Sequence, residues 1–284
     1  IEMAHENRFE QYDLAMVRPD PLVPRDLRIG IPGRLASNGA VLQDLDTDAV
    51  LHSVHQLQKL DVESIAIGFL HSYLNPSHEI QAAEIVQSHW PEVTLSLSSE
   101  VCPEIREYER FSTTCANAYI QPLLTKYLTD LEARRRILGM DCPMLLMQSG
   151  GGLGTLEDAL QFPVRLVESG PAGGALLSAE LTKSLQIDKA LSFDMGGTTA
   201  KLCIINNGQP RTSREFEVGR EYRFLAGSGL PLRLPVIEMV EIGAGGSSVE
   251  KLDELGRIAV GPHSAGSEPG PACYGRGGTQ ATVT

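Results

Sequence analysis

The chain has 284 residues, 42% hydrophobic and 21% charged, enough to bury a substantial core as one large or two ordinary domains. Its formal net charge of −12 excludes a general nucleic-acid or anionic-membrane binder, because both need a basic surface. No apolar run reaches the length of a membrane span, and the opening Ile1-Glu2-Met3-Ala4-His5-Glu6 lacks the character of a secretory signal. Cys102, Cys115, Cys142, Cys203 and Cys273 are scattered without a CxxC pair, so a cytoplasmic protein with reduced thiols and no zinc site is expected.

Residues 1–40 read as irregular, broken by Pro19, Pro21, Pro24 and Pro32, with a short strand over Leu27–Ile31. Apolar residues at Val50, Leu51, Val54, Leu57 and Leu60 predict a helix over Asp46–Leu60. A buried strand over Ser64–Leu70 follows, then an amphipathic helix over His78–His89 and a strand over Thr94–Ser98. Ser77 is the expected N-cap of that helix, with Glu79 in its first turn. Strand–helix–strand alternation predicts parallel pairing with helices on the sheet faces.

The longest helical tract runs from Glu104 to Gly139, with a kink or restart expected at Pro122. Arg106, Glu107, Glu109 and Arg110 are spaced for i, i+3 and i, i+4 pairs, and Arg134-Arg135-Arg136 sit well against a helix C-terminal dipole. Four glycine clusters then follow. A strand over Pro143–Gln148 runs into Ser149-Gly150-Gly151-Gly152. Glu168-Ser169-Gly170-Pro171-Ala172-Gly173-Gly174 opens a helix over Ala175–Leu185. Ala190–Ile205 reads as a hairpin with Asp194 beside the turn Gly196-Gly197-Thr198-Thr199. Gly243-Ala244-Gly245-Gly246 ends another apolar run, and a turn-rich loop spans Val260–Gly278. The organisation expected is a front α/β region over 1–140 and a glycine-rich lobe over 141–284, with the boundary lying between 140 and 190.

A hairpin tip without bulky side chains can turn backbone N–H groups and hydroxyls toward phosphate oxygens, while a neighbouring aspartate holds hydrated Mg²⁺. An ordinary glycine-rich turn has the same local pattern, so these residues leave both readings open. The helix start near Gly170 and Gly173 is either an anion site or a place of close helix–sheet packing. Gly243, Gly245 and Gly246 suit either close backbone approach to a nucleotide or a structural turn. His71 and His78 allow a metal pair without a matching carboxylate spacing, His263 falls in the turn-rich loop as a functional candidate, and Cys273 reads as structural.

Taken in order, these segments resemble the hydantoinase A / 5-oxoprolinase family, which also includes acetone and acetophenone carboxylase subunits. The resemblance is carried by Phe69-Leu70-His71-Ser72-Tyr73 with Asn75-Pro76 and His78-Glu79, Arg106-Glu107-Tyr108-Glu109-Arg110, and Asn117-Ala118-Tyr119. It continues through Gln148–Gly152, Ser169–Gly174, Asp194-Met195-Gly196-Gly197-Thr198, and the stretch from Gly261-Pro262 to Gly275. It implies an α/β chain forming part of an actin / sugar-kinase / Hsp70-like ATPase fold, with mixed sheets and helices on the faces. Only one Asp-x-Gly-Gly-Thr loop is present, so an earlier one is expected upstream of Ile1 in a longer polypeptide.

The resemblance further implies ATP and Mg²⁺. Asp194 and Thr198 would act catalytically, with Asp194 on the metal. Gly150, Gly151, Gly170, Gly173, Gly196, Gly197, Thr199, Gly243, Gly245 and Gly246 would surround the nucleotide. The implied activity is ATP-dependent hydrolysis of a cyclic amide of the hydantoin or 5-oxoproline type, in an oligomer with a hydantoinase B-type subunit or domain. A ketone carboxylase subunit, a sugar-kinase-like phosphotransferase and a non-catalytic interaction module are the alternatives. Two positions depart from the family pattern: Ser247 stands where a third consecutive glycine is common, and Thr199-Ala200-Lys201 replaces Ser-Thr-Asp.

Overall fold

The computed structural model describes residues 12–16, 20–220 and 225–284. Pro19 lies outside them. In chain order the elements are β1 (Arg34–Leu35), β2 (Val41–Gln43), α1 (Thr47–Leu57), β3 (Ser64–Ile67), α2 (Ser77–His89), β4 (Thr94–Leu97), α3 (Ser98–Val101) and α4 (Glu107–Ile137). There follow β5 (Leu146–Met147), β6 (Leu153–Gly154), α5 (Leu156–Gln161), α6 (Ser169–Ser184), β7 (Lys189–Met195), β8 (Ala200–Asn206) and β9 (Gln209–Pro210). The chain closes with β10 (Thr212–Val218), β11 (Leu230–Ile237), β12 (Val240–Ile242), β13 (Ser248–Leu252) and β14 (Ile258–Ser264). The described residues of segments 1–148, 152–167 and 214–235 form one compact unit, and segments 149–151, 168–213 and 236–284 form another. The expected mixed α/β class is observed. The short strand expected over Leu27–Ile31 is absent: Arg25–Leu27 is a 3-10 turn and the residues after it are irregular.

The first unit is built on a β3–α2–β4 crossover, its strands parallel from Ser64 opposite Thr94 to Ile67 opposite Leu97. Period-two alternation gives this pair two chemically different faces. Ile65 and Ile67 join Val50, Val54, Ala82, Val86 and Val93 in an apolar cluster with α1 and α2. Ser64 and Ser96 instead turn toward α4, where Ser64 Oγ donates to the Ala118 carbonyl at 2.7 Å and Ser96 Oγ to Gln121 at 2.9 Å. That first bond accounts for Pro122. A proline leaves the carbonyl four residues earlier without its helical donor, and Ser64 satisfies it, so α4 continues as one helix of 31 residues instead of restarting. The helix ends in a Schellman motif, with Gly139 at φ +72°, its N–H on Arg136 and the Met140 N–H on Arg135.

The paired reading of Arg110 does not hold. Only Arg106–Glu109, at 3.9 Å, is an intrahelical pair in this group. Arg110 is buried, donating to Ser98 Oγ (3.1 Å), the Glu104 carbonyl (2.8 Å) and the Phe69 carbonyl (3.0 Å). Fully buried Glu79 accepts from the Phe69 N–H, Ser98 Oγ and the Ser99 N–H. Ser98 thereby bridges the two charges, and burial pulls the Arg110 pKa down while Glu79 pushes it back. The N-cap expectation for Ser77 also changes: Ser77 is already helical, and Asn75 Oδ1 accepts its N–H at 3.0 Å.

Further along, the strand expected over Pro143–Gln148 shortens to β5, paired antiparallel with β6 around the glycine turn. A capping box joins Thr155 and Asp158 at the start of α5. Thr155→Ala should cost about 1 kcal/mol, readable as a lower denaturant midpoint with an unchanged slope.

In the second unit, β7, β8 and β12 form an antiparallel sheet in the order β12-β8-β7, with β9 on the end of β8. Helix α6 covers one face, where Ala172 and Ala175 pack with Cys203 and Ile237. The residues that alternate with these leave Leu191, Phe193 and Val240 exposed on the other face. A β13–β14 hairpin completes the unit.

Candidate functional site

All twelve candidate residues fall in the second unit. The β7–β8 ladder pairs Asp194 with Lys201 and Met195 with Ala200, leaving Gly196-Gly197-Thr198-Thr199 as the tip. The Gly196 N–H closes the tip on the Thr199 carbonyl at 2.9 Å. Asp194, Gly196, Gly197 and Thr198 are exposed and Thr199 half-buried, and Met195 at 41% exposure does not cover the turn.

The turn after β12 docks on this tip. The Gly246 N–H donates to the Gly196 carbonyl at 2.9 Å and the Ser247 N–H to the Gly197 carbonyl at 2.7 Å. These bonds occupy the Gly196 and Gly197 carbonyls of the tip. Gly245 is buried, and a Cβ there would lie 2.6 Å from both the backbone N and the carbonyl carbon of Thr198. Only glycine permits that approach. Gly245→Ala should therefore destabilise the unit by about 1–3 kcal/mol, because the clash is with backbone; thermal unfolding checks it. Gly261 on β14 flanks the same turn, where a Cβ would meet the Gly243 carbonyl oxygen at 3.4 Å.

Gly170 and Gly173 do not precede the helix as expected; they lie in the opening turns of α6, which begins at Ser169. Pro171 is tolerated in this first turn because the amides there have no intrahelical acceptor to lose. A Cβ at Gly170 would meet nothing within 4 Å. Glu168, the N-cap, has left-handed backbone angles of φ 62° and ψ 17°, and its carboxylate forms a close ion pair with Lys201. Lys201 Nζ also lies 3.9 Å from Glu241 Oε1. Burial chiefly lowers the Lys201 pKa, and Glu241 opposes that shift. The α6 start, the hairpin tip and the 243–246 turn are thus brought together. At the Gly150-Gly151 turn the Ser149 carbonyl accepts from the Ile237 N–H at 2.9 Å, and at Gly151, with φ +88°, an added Cβ would lie 3.1 Å from Leu176 and 3.3 Å from Ile237.

The histidine expectations change. His263 lies exposed on β14 instead of in the loop, and His78 is buried on α2 with its ring edge-on to Phe69. Among the described residues no group of three or more His, Cys, Asp or Glu side chains could hold a metal ion. Beside the tip, Lys201 stands between Asp194 and Glu241 in the ladder. With Asp194 as the carboxylate beside the tip, a Mg²⁺ held there would keep most of its water rather than sit in a cage of protein oxygens. Sequence reasoning singled out Lys201 but missed Glu168 and Glu241 as its partners, since neither is near it in the chain.

The model of the hydantoinase/oxoprolinase family matches residues 110–284, and that of its N-terminal region matches residues 1–90. The α subunit of a caprolactamase from Pseudomonas jessenii is 36% identical over 284 residues, covering 100% of this chain and 40% of that protein. The crystal structure of this ATP-dependent caprolactamase matches with a TM-score of 0.75 at 35% identity, over 100% of this chain and 40% of that one. A 5-oxoprolinase from Saccharomyces cerevisiae is 35% identical over 245 residues, 84% of this chain and 18% of its own. A nucleotide-free acetone carboxylase structure matches with a TM-score of 0.78 at 27% identity, over 93% of this chain and 36% of that one. The chain spans less than half the length of the relatives it matches. From the β3–α2–β4 crossover to the docked glycine turns, and through matches that run nearly end to end, the chain belongs to the hydantoinase/oxoprolinase family.

Proposed function

We propose that this chain is the phosphate-binding portion of an ATP-dependent enzyme that opens a cyclic amide. The observation that carries the reading is the exposed tip at Gly196–Thr199, braced from behind by Gly246 and Ser247 and flanked by Asp194. Amides at Gly197, Thr198 and Thr199 would meet phosphate oxygens, and Asp194 would position Mg²⁺ through water. The metal would neutralise charge on the phosphates, and the chain's part is positioning and electrostatics.

In the reaction, the lactam or hydantoin oxygen would accept the γ-phosphoryl group and release ADP. Water would then add to the activated ring carbon, the C–N bond would break to free the amine end and leave an acyl phosphate, and a second water would hydrolyse that acyl phosphate to the acid and phosphate. The similarity to a caprolactamase and a 5-oxoprolinase supports this class of substrate. A hydantoinase B-type subunit or domain is the partner proposed for ring opening. The full-length enzyme, with that partner, is expected to release ADP, phosphate and ring-opened product in equal amounts from Mg-ATP and a cyclic amide. ADP formed together with a stable phosphorylated acceptor would instead indicate a phosphotransferase.

A second reading, an ATP-dependent ketone carboxylase subunit, is favoured by the likeness to acetone carboxylase over 93% of the chain. Product formation requiring both a ketone and bicarbonate would select it.

A further inference from the structure

Lys201 occupies a particular place in the second unit. On β8 it is directly opposite Asp194 of β7 and directly opposite Glu241 of β12. Facing residues of neighbouring antiparallel strands project to one side of a sheet, so the three form a single charged row next to the tip. The Lys201 side chain is only 13% exposed, and a buried ammonium needs compensating charge. Glu168 and Glu241 supply it. These two carboxylates also mark two glycine corners: Glu168 is the N-cap of α6, immediately before Ser169 and Gly170, and Glu241 lies two residues ahead of Gly243.

We propose that Lys201 is a positioning residue, an ammonium tether that holds the start of α6 and the β12 turn in register with the hairpin tip. The role rests on the phosphate-loop reading given above and adds to it the device that fixes the spacing of the corners. Without the ammonium, Asp194, Glu168 and Glu241 would be three like charges on one side of the sheet, each repelling the others and an incoming triphosphate. Glu168 would also lose the partner that holds its left-handed backbone, a conformation a non-glycine residue keeps only when its surroundings impose it. The free amides of the first α6 turn would then lose their fixed direction. A lysine suits this task because its flexible stem can reach a carboxylate on α6 and another on β12 from one strand position.

The test compares Lys201→Met, which keeps the stem and removes the charge, with Lys201→Arg, which keeps the charge. Amide hydrogen exchange on the 284-residue chain, without nucleotide, is expected to accelerate at least tenfold at Ala172 in Lys201→Met and to return toward wild type in Lys201→Arg. In the full-length enzyme, KM for ATP should rise about tenfold in Lys201→Met with kcat within twofold, and Lys201→Arg should recover most of the loss. Unchanged exchange would overturn the tether. A fall in kcat at unchanged KM would overturn the positioning role, since the ammonium would then act on the reacting atoms. If exchange responds as expected but the wild-type enzyme neither binds nor turns over ATP, the phosphate-loop reading fails and the tether survives as a fold element.

Discussion

Asp194→Ala in the full-length enzyme is expected to lower kcat for ATP turnover by about 10²–10³-fold, the scale lost when one preorganised electrostatic group is removed from a reacting centre. The reason is local. Asp194 is the last charged residue before the tip, exposed on β7, and among the described residues no group of three or more His, Cys, Asp or Glu side chains could hold a metal in its place. Its fold cost should be small, because exposed substitutions away from packed features rarely exceed about 0.5 kcal/mol. Unfolding of the variant by heat or denaturant should therefore match wild type while turnover collapses. Asp194→Asn sharpens the result: it preserves shape and removes the charge, so it should follow the alanine variant if the carboxylate positions Mg²⁺. Unchanged turnover in both variants would remove Asp194 from the mechanism.

Arg110→Met should act on stability instead. Three acceptors lose a donor at once: Ser98 Oγ, the Glu104 carbonyl and the Phe69 carbonyl, the last of which keeps the Ser72 hydroxyl. The buried carboxylate of Glu79 also loses the nearby positive charge. Breaking one side of a buried charged arrangement typically costs about 3–5 kcal/mol, a large part of the roughly 5–15 kcal/mol that holds an ordinary domain folded. Denaturant titration followed by a probe in that unit reads the loss. The double variant Glu79→Gln/Arg110→Met should recover part of it, because the uncompensated charge is then gone. Equal loss in the single and double variants would show that Arg110 matters for its hydrogen bonds alone.

Both predictions concern residues that local pattern described incompletely. Arg110 sits in a run whose spacing suits surface ion pairs, and spacing cannot reveal that Ser98 and Phe69 come to meet it. Pro122 is a similar case: helix propensity calls for a break, and a serine 58 positions earlier removes the reason for one. The glycines at 170 and 173 look like a loop because glycine disfavours helices, yet the α6 start tolerates them where packing on β8 holds the turn. His263 reads as a loop residue until β14 pairs with β13.

Local grammar is legible in the order of the amino acids. Hydrophobic period marked α1, α2, α4 and the β7–β8 hairpin, and the order of glycine-rich segments was enough to suggest the family. Tertiary structure alone decided which corners meet: the 243–246 turn on the hairpin tip, the α6 start joined to it through Lys201, and the 149–151 turn held against Leu176 and Ile237. The physical reason is range. Periodicity and turn chemistry act over a few residues, whereas a buried charge or an unpaired carbonyl finds its partner only after chain segments far apart in sequence have packed together.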